Sequence, residues 1–189
     1  MVAQCHQLCD HVPVSMTAVR RNAWWVLPEL LALAAVAWLY PLLVPPPDLG
    51  TLLAQRVVQV LEQSSPAEHH QHGHQVNADD KVLCTAETMG YEPADARDVA
   101  DVRVVYAYYL CAAGAVGQPW DFASRISGPV AVDLSDPPVV RIAQAGLGYE
   151  DRVRALLPDQ YEARAFDGFV NRDLPLRVRQ RYTDEVAGA

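Results

Sequence analysis

Read from the N-terminus, the apolar positions form one unbroken block, then a helical period, then an alternating one. The block is Ala23–Val44, AWWVLPELLALAAVAWLYPLLV, and Glu29 is its one charge. As a helix it would run about 33 Å, enough to cross a hydrocarbon core of about 30 Å. Arg20 and Arg21 stand just before it and Pro45-Pro46-Pro47 just after. Trp24, Trp25, Trp38 and Tyr40 lie toward its ends, as interfacial aromatics do. This pattern predicts a signal anchor with the N-terminus in the cytoplasm and the rest of the chain outside. Ala35-Val36-Ala37 keeps open a second reading, a cleaved signal peptide and a secreted chain. Glu29 sits near the inner edge and reads as a side chain that snorkels to the interface.

The helical period follows in residues 45–63. Leu49, Leu52, Leu53, Val57, Val60 and Leu61 repeat at three and four residues, with Gln55, Arg56, Gln59 and Glu62 on the wet side. Asp48 is placed to cap the start and Ser64-Ser65-Pro66 to end it. Residues 64–80, SSPAEHHQHGHQVNADD, have no apolar period and read as a polar linker.

The alternating period predicts a small sheet over residues 81–158. Lys81–Met89 reads as a strand stopped by Gly90, and Tyr91–Ala100 as a turn and short helix entered at Pro93. Asp101–Ala113 is the strongest strand. Val102, Val104, Tyr106, Tyr108 and Leu110 share one face; Val105, Ala107, Tyr109 and Cys111 share the other, which predicts cover on both sides. Gly114–Gly128 reads as a loop. Pro129–Ser135 and Pro138–Ala143 read as short strands, and Tyr149–Leu157 as a helix stopped by Pro158. Residues 159–189 mix charges without a sustained period. Arg164, Arg172, Arg177, Arg179 and Arg181 make them locally basic, which reads as a solvated tail or loose helix, or as a contact for anionic headgroups or cell-wall polymer.

Charge changes the picture in one respect. The formal net charge is −8, and all of that excess lies after Val44. An acidic domain argues against nucleic acid, where basic residues would neutralise phosphates. The four cysteines fall in two pairs on opposite sides of the apolar block. Cys5 and Cys9, with His6 and His11, suit zinc by type, but C-x3-C is not a common zinc spacing. The stretch from Met16, MTAVRRNAWWVLP, reads as an exported N-terminus, which makes residues 1–15 an over-extended start of the cytoplasmic tail, residues 1–22. Cys84 and Cys111 lie in two predicted strands outside the membrane, where disulfides persist. Antiparallel pairing of those strands would join them.

Candidate chemistry is sparse. His69, His70, His72 and His74 form a dense imidazole run, which suits an adventitious or sensing site for Zn, Cu or Ni. No hydrolase elbow, phosphate-cradling loop or H-E-x-x-H is present. Asp133 and Asp136 read as turn residues rather than paired catalytic carboxylates. Trp120, Tyr106, Tyr108 and Tyr109 read as packing aromatics, with an aromatic binding surface as the alternative. No catalytic residue and no cofactor is expected.

From Val82 to Pro158, the segments VLCTAE, EPADARDVADVRVVYAYYLC and GPVAVDLSDPPVVRIAQAGLGYEDRVRALLP resemble a family of uncharacterised exported proteins of GC-rich bacteria. The resemblance implies an extracytoplasmic domain with paired cysteines and supplies no activity. A helix followed by antiparallel strands is also the plan of a cystatin-like roll, an analogy of element order alone. The sequence thus points to an α+β, single-pass membrane protein. Its expected role is a non-enzymatic binding or assembly module at the outer face, with an unidentified protein or cell-envelope partner. The alternatives are a metal-responsive or signalling protein built on His69–His74, and a hydrolase without a recognisable motif.

Overall fold

The computed structural model describes residues 28–36, 38 and 47–188. The N-terminal tail, with Cys5 and Cys9, and much of the predicted span Ala23–Val44 lie outside them. Residues 28–36 and 38 are helical. Among the described residues no helix is long and apolar enough to cross a membrane.

From Pro47 onward the chain forms one compact unit of α+β type. Helix α1, Leu49–Gln63, has the bounds its period predicts. Asp48 caps it by accepting a hydrogen bond from the Thr51 N–H. Leu53, Val57, Val60 and Leu61 are its buried stripe. Burying each contributes about 1.5–3 kcal/mol, so truncating one at its centre, Leu53→Ala, would cost about 2–5 kcal/mol. A short helix α2, Pro66–Gln71, follows directly.

The sheet has four antiparallel strands in the order β1-β2-β3-β4: Lys81–Glu92, Val104–Gly114, Ser124–Asp133 and Val139–Ile142. Neighbours in sequence are neighbours in space, so every connection is local. Strand β2 is covered on both faces, and within it the face assignment from the sequence holds; Val102, expected beside Val104 and Tyr106, precedes the strand and packs instead with Val105 and Val132. Val105, Ala107, Tyr109 and Cys111 pack with Val130, Val132 and the α1 stripe. On the other face, Val104 and Tyr106 meet Ala131, Val153 and Ala165. Farther along that face, Leu110 and Ala112 meet Leu83, Val178, Tyr182 and Val186.

That second face corrects the expectation of a solvated tail or loose helix: the segment is helical, but packed. Residues beyond Pro158 form helices α4, Asp159–Asp167, and α5, Asp173–Tyr182, after α3, Tyr149–Leu156. A π turn, Thr183–Ala187, closes the chain. Val178, Tyr182 and Val186 are fully buried at four-residue spacing, so the domain does not stop at residue 158. Two glycines let the helices sit this low. A methyl group on Gly90 would overlap the Tyr161 phenol, and one on Gly114 would overlap that of Tyr182.

Gly90 therefore does not end β1. The register with β2 shifts between Thr88 and Gly90, a bulge at Met89, and pairing resumes through Glu92. The predicted helix at Tyr91–Ala100 is replaced by bends and a single 3-10 turn, Val99–Asp101. The Arg103 N–H closes this excursion by donating to the Glu92 carbonyl, 2.7 Å. The predicted loop Gly114–Gly128 is shorter than expected because Ser124–Gly128 already pairs with β2.

Candidate functional site

Cys84 and Cys111 are directly opposed in the β1–β2 ladder and form a disulfide. Both are buried, so neither sulfur serves as a nucleophile. The main chain at Cys84 matters more. Its N–H donates to Glu62 Oε1 at 2.8 Å, and its carbonyl accepts from Arg181 Nη1 at 3.2 Å. Glu62 and Arg181 are themselves paired at 3.1 Å. Both backbone groups of Cys84 thus turn away from β2, which makes Cys84–Cys111 a non-hydrogen-bonded pair, the kind with the closer Cα atoms. Their Cα separation is 4.1 Å.

The alternation of the ladder carries this two residues along. Ala86, opposite Tyr109, belongs to the same class of pair, so its N–H and carbonyl also face outward. They open into a cleft of about 340 Å³ between α1 and α5, walled by Ala54, Val58, Leu174 and Val178. An adjoining depression of about 330 Å³ continues the cleft past Glu87 and Thr88 to Arg164 and Asn171. Arg177 lines both.

The carboxylates around the cleft are already committed. Glu87 pairs with Arg164 at 3.2 Å and accepts from the Val170 N–H at 2.9 Å and the Asn171 N–H at 3.3 Å. Asp48 is the cap of α1, and its bonds with Thr51 hold its carboxyl below the usual carboxylate range. Glu62 holds Cys84 and Arg181. Arg177, by contrast, pairs with no carboxylate among the described residues and is exposed. The unmet groups of the cleft therefore include the N–H and carbonyl of Ala86 and the guanidinium of Arg177. The basic C-terminal run was visible in the sequence; Glu62 and Ala86 were not, because only the tertiary fold aims them.

The histidine run is a folded turn, not a flexible linker. Ser65 and Glu68 form a reciprocal capping box, 2.6 Å from the Ser65 N–H to Glu68 and 3.3 Å from the Glu68 N–H to Ser65. Gly73, at φ +83°, reverses the chain so that His74 falls against His69. Both rings are buried. His74 Nε2 lies 3.0 Å from the Ser124 carbonyl, which only accepts, so this nitrogen carries the proton. The bare Nδ1 faces His69 Nδ1 at 3.4 Å. His70 Nε2 accepts from the Val76 N–H, 3.2 Å, and His72 closes the C-terminus of α2. The four imidazoles do not converge, and no group of three or more metal-ligating side chains assembles among the described residues. Burial pushes His69, His72 and His74 below the ordinary histidine value; for His69 the neighbouring His74 adds to it.

The remaining candidates sit in local contacts. Asp133 Oδ1 accepts from the Ser135 N–H at 2.9 Å, the expected turn duty. Tyr109 is buried under α1, its hydroxyl unpartnered, and burial pushes its ionisation up. Tyr106 donates to Glu92 at 2.8 Å and is pushed up to about 12 by burial and that carboxylate. Trp120 stacks edge-on against Tyr182 and under Arg125. These aromatics lie in separate contacts and do not form one binding surface. A larger depression, about 530 Å³, lies between α2 and the turn before β4. Its carboxylate, Glu68, is committed to the capping box, and Pro137 and Pro138 bring no N–H donors to it.

Against known proteins, the chain matches no family model, no curated protein and no solved structure.

Proposed function

We propose that this protein is a membrane-anchored, extracytoplasmic binding module, without catalysis of its own, whose ligand enters the cleft between α1 and α5. One observation carries the reading. The outward N–H and carbonyl of Ala86 and the unpaired guanidinium of Arg177 share that cleft, while its acids are satisfied internally. A strand-edge N–H and carbonyl left open beside a guanidinium with no carboxylate partner support ligand capture over simple packing. The Cys84–Cys111 disulfide supports an oxidising compartment. The apolar run Ala23–Val44 behind Arg20 and Arg21 supports a signal anchor, with secretion after cleavage as the alternative. The helix-first order of α1 before an antiparallel sheet is in keeping with a cystatin-like plan, and the proposed kinship with exported proteins of GC-rich bacteria rests on Val82–Pro158. The metal-responsive reading of His69–His74 has less support, since His74 is turned to Ser124 and His70 to Val76.

The test is site-specific photo-crosslinking in intact cells. A photoreactive residue replacing Gln55, on the cleft wall, should give a discrete adduct, and one replacing Asp151, on the exposed face of α3, should not. Equal yields at both positions, or none at Gln55, would remove the cleft as the ligand site. A reporter active only outside the cytoplasm, fused after Ala189, should be active; silence there would overturn the topology.

A further inference from the structure

Given that the cleft is the ligand site, its chemistry narrows what enters. We infer that it takes an extended, acidic segment of a partner protein, which adds as a short strand to the edge of β1 at Ala86.

The main-chain argument comes first. An outward N–H and carbonyl on one edge residue are the half-ladder that an incoming strand completes with two hydrogen bonds. A small-molecule anion would meet the donor but leave the carbonyl unpaired. Toward Cys84 the edge is already closed, because Glu62 and Arg181 take the groups an added strand would need. In the other direction the Thr88 side chain is bound to the Gly50 carbonyl at 2.8 Å, which ties the start of α1 to the strand. The accessible register is thus centred on Ala86. Only a short extended segment fits, and a long sheet edge that would template aggregation is not offered.

Charge then selects among short segments. Arg177 reaches the cleft from α5 with no carboxylate partner among the described residues, while Glu87, Asp48 and Glu62 are each held by internal donors. Alternate side chains of an added strand face opposite ways. One set would point along the α1 wall, toward Ala54 and Val58; the other would point along the α5 wall, where a carboxylate would meet Arg177. The chain as a whole is net acidic, so Arg177, which no carboxylate among the described residues holds, is the point in this cleft where an acidic segment finds a partner. That contrast confers selectivity of site.

The experiment uses the full chain in detergent micelles. The probe is a blocked eight-residue peptide alternating threonine and glutamate. Its comparators are the same peptide with lysine for glutamate, and a version N-methylated at alternate amides, which cannot pair as a strand. Titration is followed by fluorescence anisotropy and by hydrogen exchange of the Ala86 amide. The glutamate peptide should bind and slow exchange at Ala86. Binding should weaken by about tenfold or more for the lysine and N-methylated peptides, and likewise for Arg177→Glu. Ala86→Pro removes only the outward donor and should weaken binding while leaving the β2 ladder intact; Arg177→Glu keeps the test decisive if that variant unfolds. Undiminished binding to Arg177→Glu, protection at Val140 instead of Ala86, or no binding of the glutamate peptide would each overturn the inference. So would dimerisation of the chain alone that Arg177→Glu abolishes, which would assign the cleft to a second copy. A Gln55 adduct surviving any of these results would leave the binding function standing without this ligand class.

Discussion

The two edges of the sheet are finished in different ways. Strand β1 runs Lys81–Glu92 and lies between helices; β4 runs only Val139–Ile142 and lies open. An exposed edge strand invites pairing with other chains, and proteins either cover it or keep it short. At β4 the second device is used: the strand is four residues long, and Pro137 and Pro138 precede it. At β1 the first is used. The Glu62–Arg181 pair covers Cys84, Glu87 anchors the loop at Val170 and Asn171, and Tyr161 lies over Gly90. A shortened edge is merely inert. A covered edge that leaves the Ala86 N–H and carbonyl open presents them in a register fixed by the covering elements, with the side chains of those elements around it.

The largest test of this contrast is the disulfide, which ties β1 to β2 and nothing ties β4 in the same way among the described residues. Cys84→Ala with Cys111→Ala should lower unfolding free energy by about 3–4 kcal/mol, the loop-closure effect for a separation of 27 residues. Denaturant melts of oxidised wild type and the double variant measure it. Mass spectrometry of the non-reduced protein must yield the Cys84–Cys111 linked peptide; free thiols at both would remove the basis for an organised β1 edge.

Gly114→Ala comes next. Its methyl would overlap Tyr182, whose ring anchors α5 on the sheet. The overpacking should cost about 1–3 kcal/mol. It should also loosen the α5 wall of the cleft, read as faster hydrogen exchange at Arg181. Exchange at Val140 that accelerates equally would mean the two edges are not independent.

Acidification probes the β4 side. Helix α2 lies there, with Gln144 donating to the Gln71 carbonyl at 2.6 Å. The folded values of His69 and His74 lie below the ordinary one, so the unfolded chain takes up protons at higher pH than the folded chain does. Stability from the pair is therefore complete above the ordinary histidine value of about 6.5 and is lost as pH falls through the folded values. Asp80, near His74, and Glu68, near His69, oppose the shift without reversing it. His74→Leu should cost about 1–2 kcal/mol at neutral pH, by leaving the Ser124 carbonyl unmet, and should flatten the acid limb of a melting-temperature profile. An unchanged acid limb would mean the pair does not control that side.

The smallest effect is expected at the open edge itself. Val139 is 50% exposed, and Val139→Thr should change stability by less than about 0.5 kcal/mol. A loss comparable to Gly114→Ala would show that β4 carries packing the contrast denies it.

The sequence by itself determined what depends on near neighbours along the chain. The three-and-four spacing of Leu53, Val57, Val60 and Leu61 sets the bounds of α1, and Asp48 marks its start. Strict alternation in β2 separates Val105, Ala107, Tyr109 and Cys111 from Val104, Tyr106 and Leu110, since side chains of a strand must point to opposite faces. It also makes the Cys84–Cys111 pairing foreseeable. Other features were only weakly legible. Val178, Tyr182 and Val186 carried a four-residue signal, but the arginines between them masked it in a segment with few apolar residues. Gly90 reads locally as a breaker; it stays in the strand because a bulge and the Tyr161 phenol accommodate it. His69 and His74 look solvated from composition, yet a positive-φ glycine folds one ring against the other. The cleft belonged wholly to the tertiary structure. Ala86 becomes an open half-ladder only because β1 is an edge strand, and Arg177 reaches it only because α5 returns to that edge from far along the chain. Hydrophobic periodicity reports which face of an element is buried; which edge is left unpaired, and which charges find partners there, depends on contacts between residues distant in sequence.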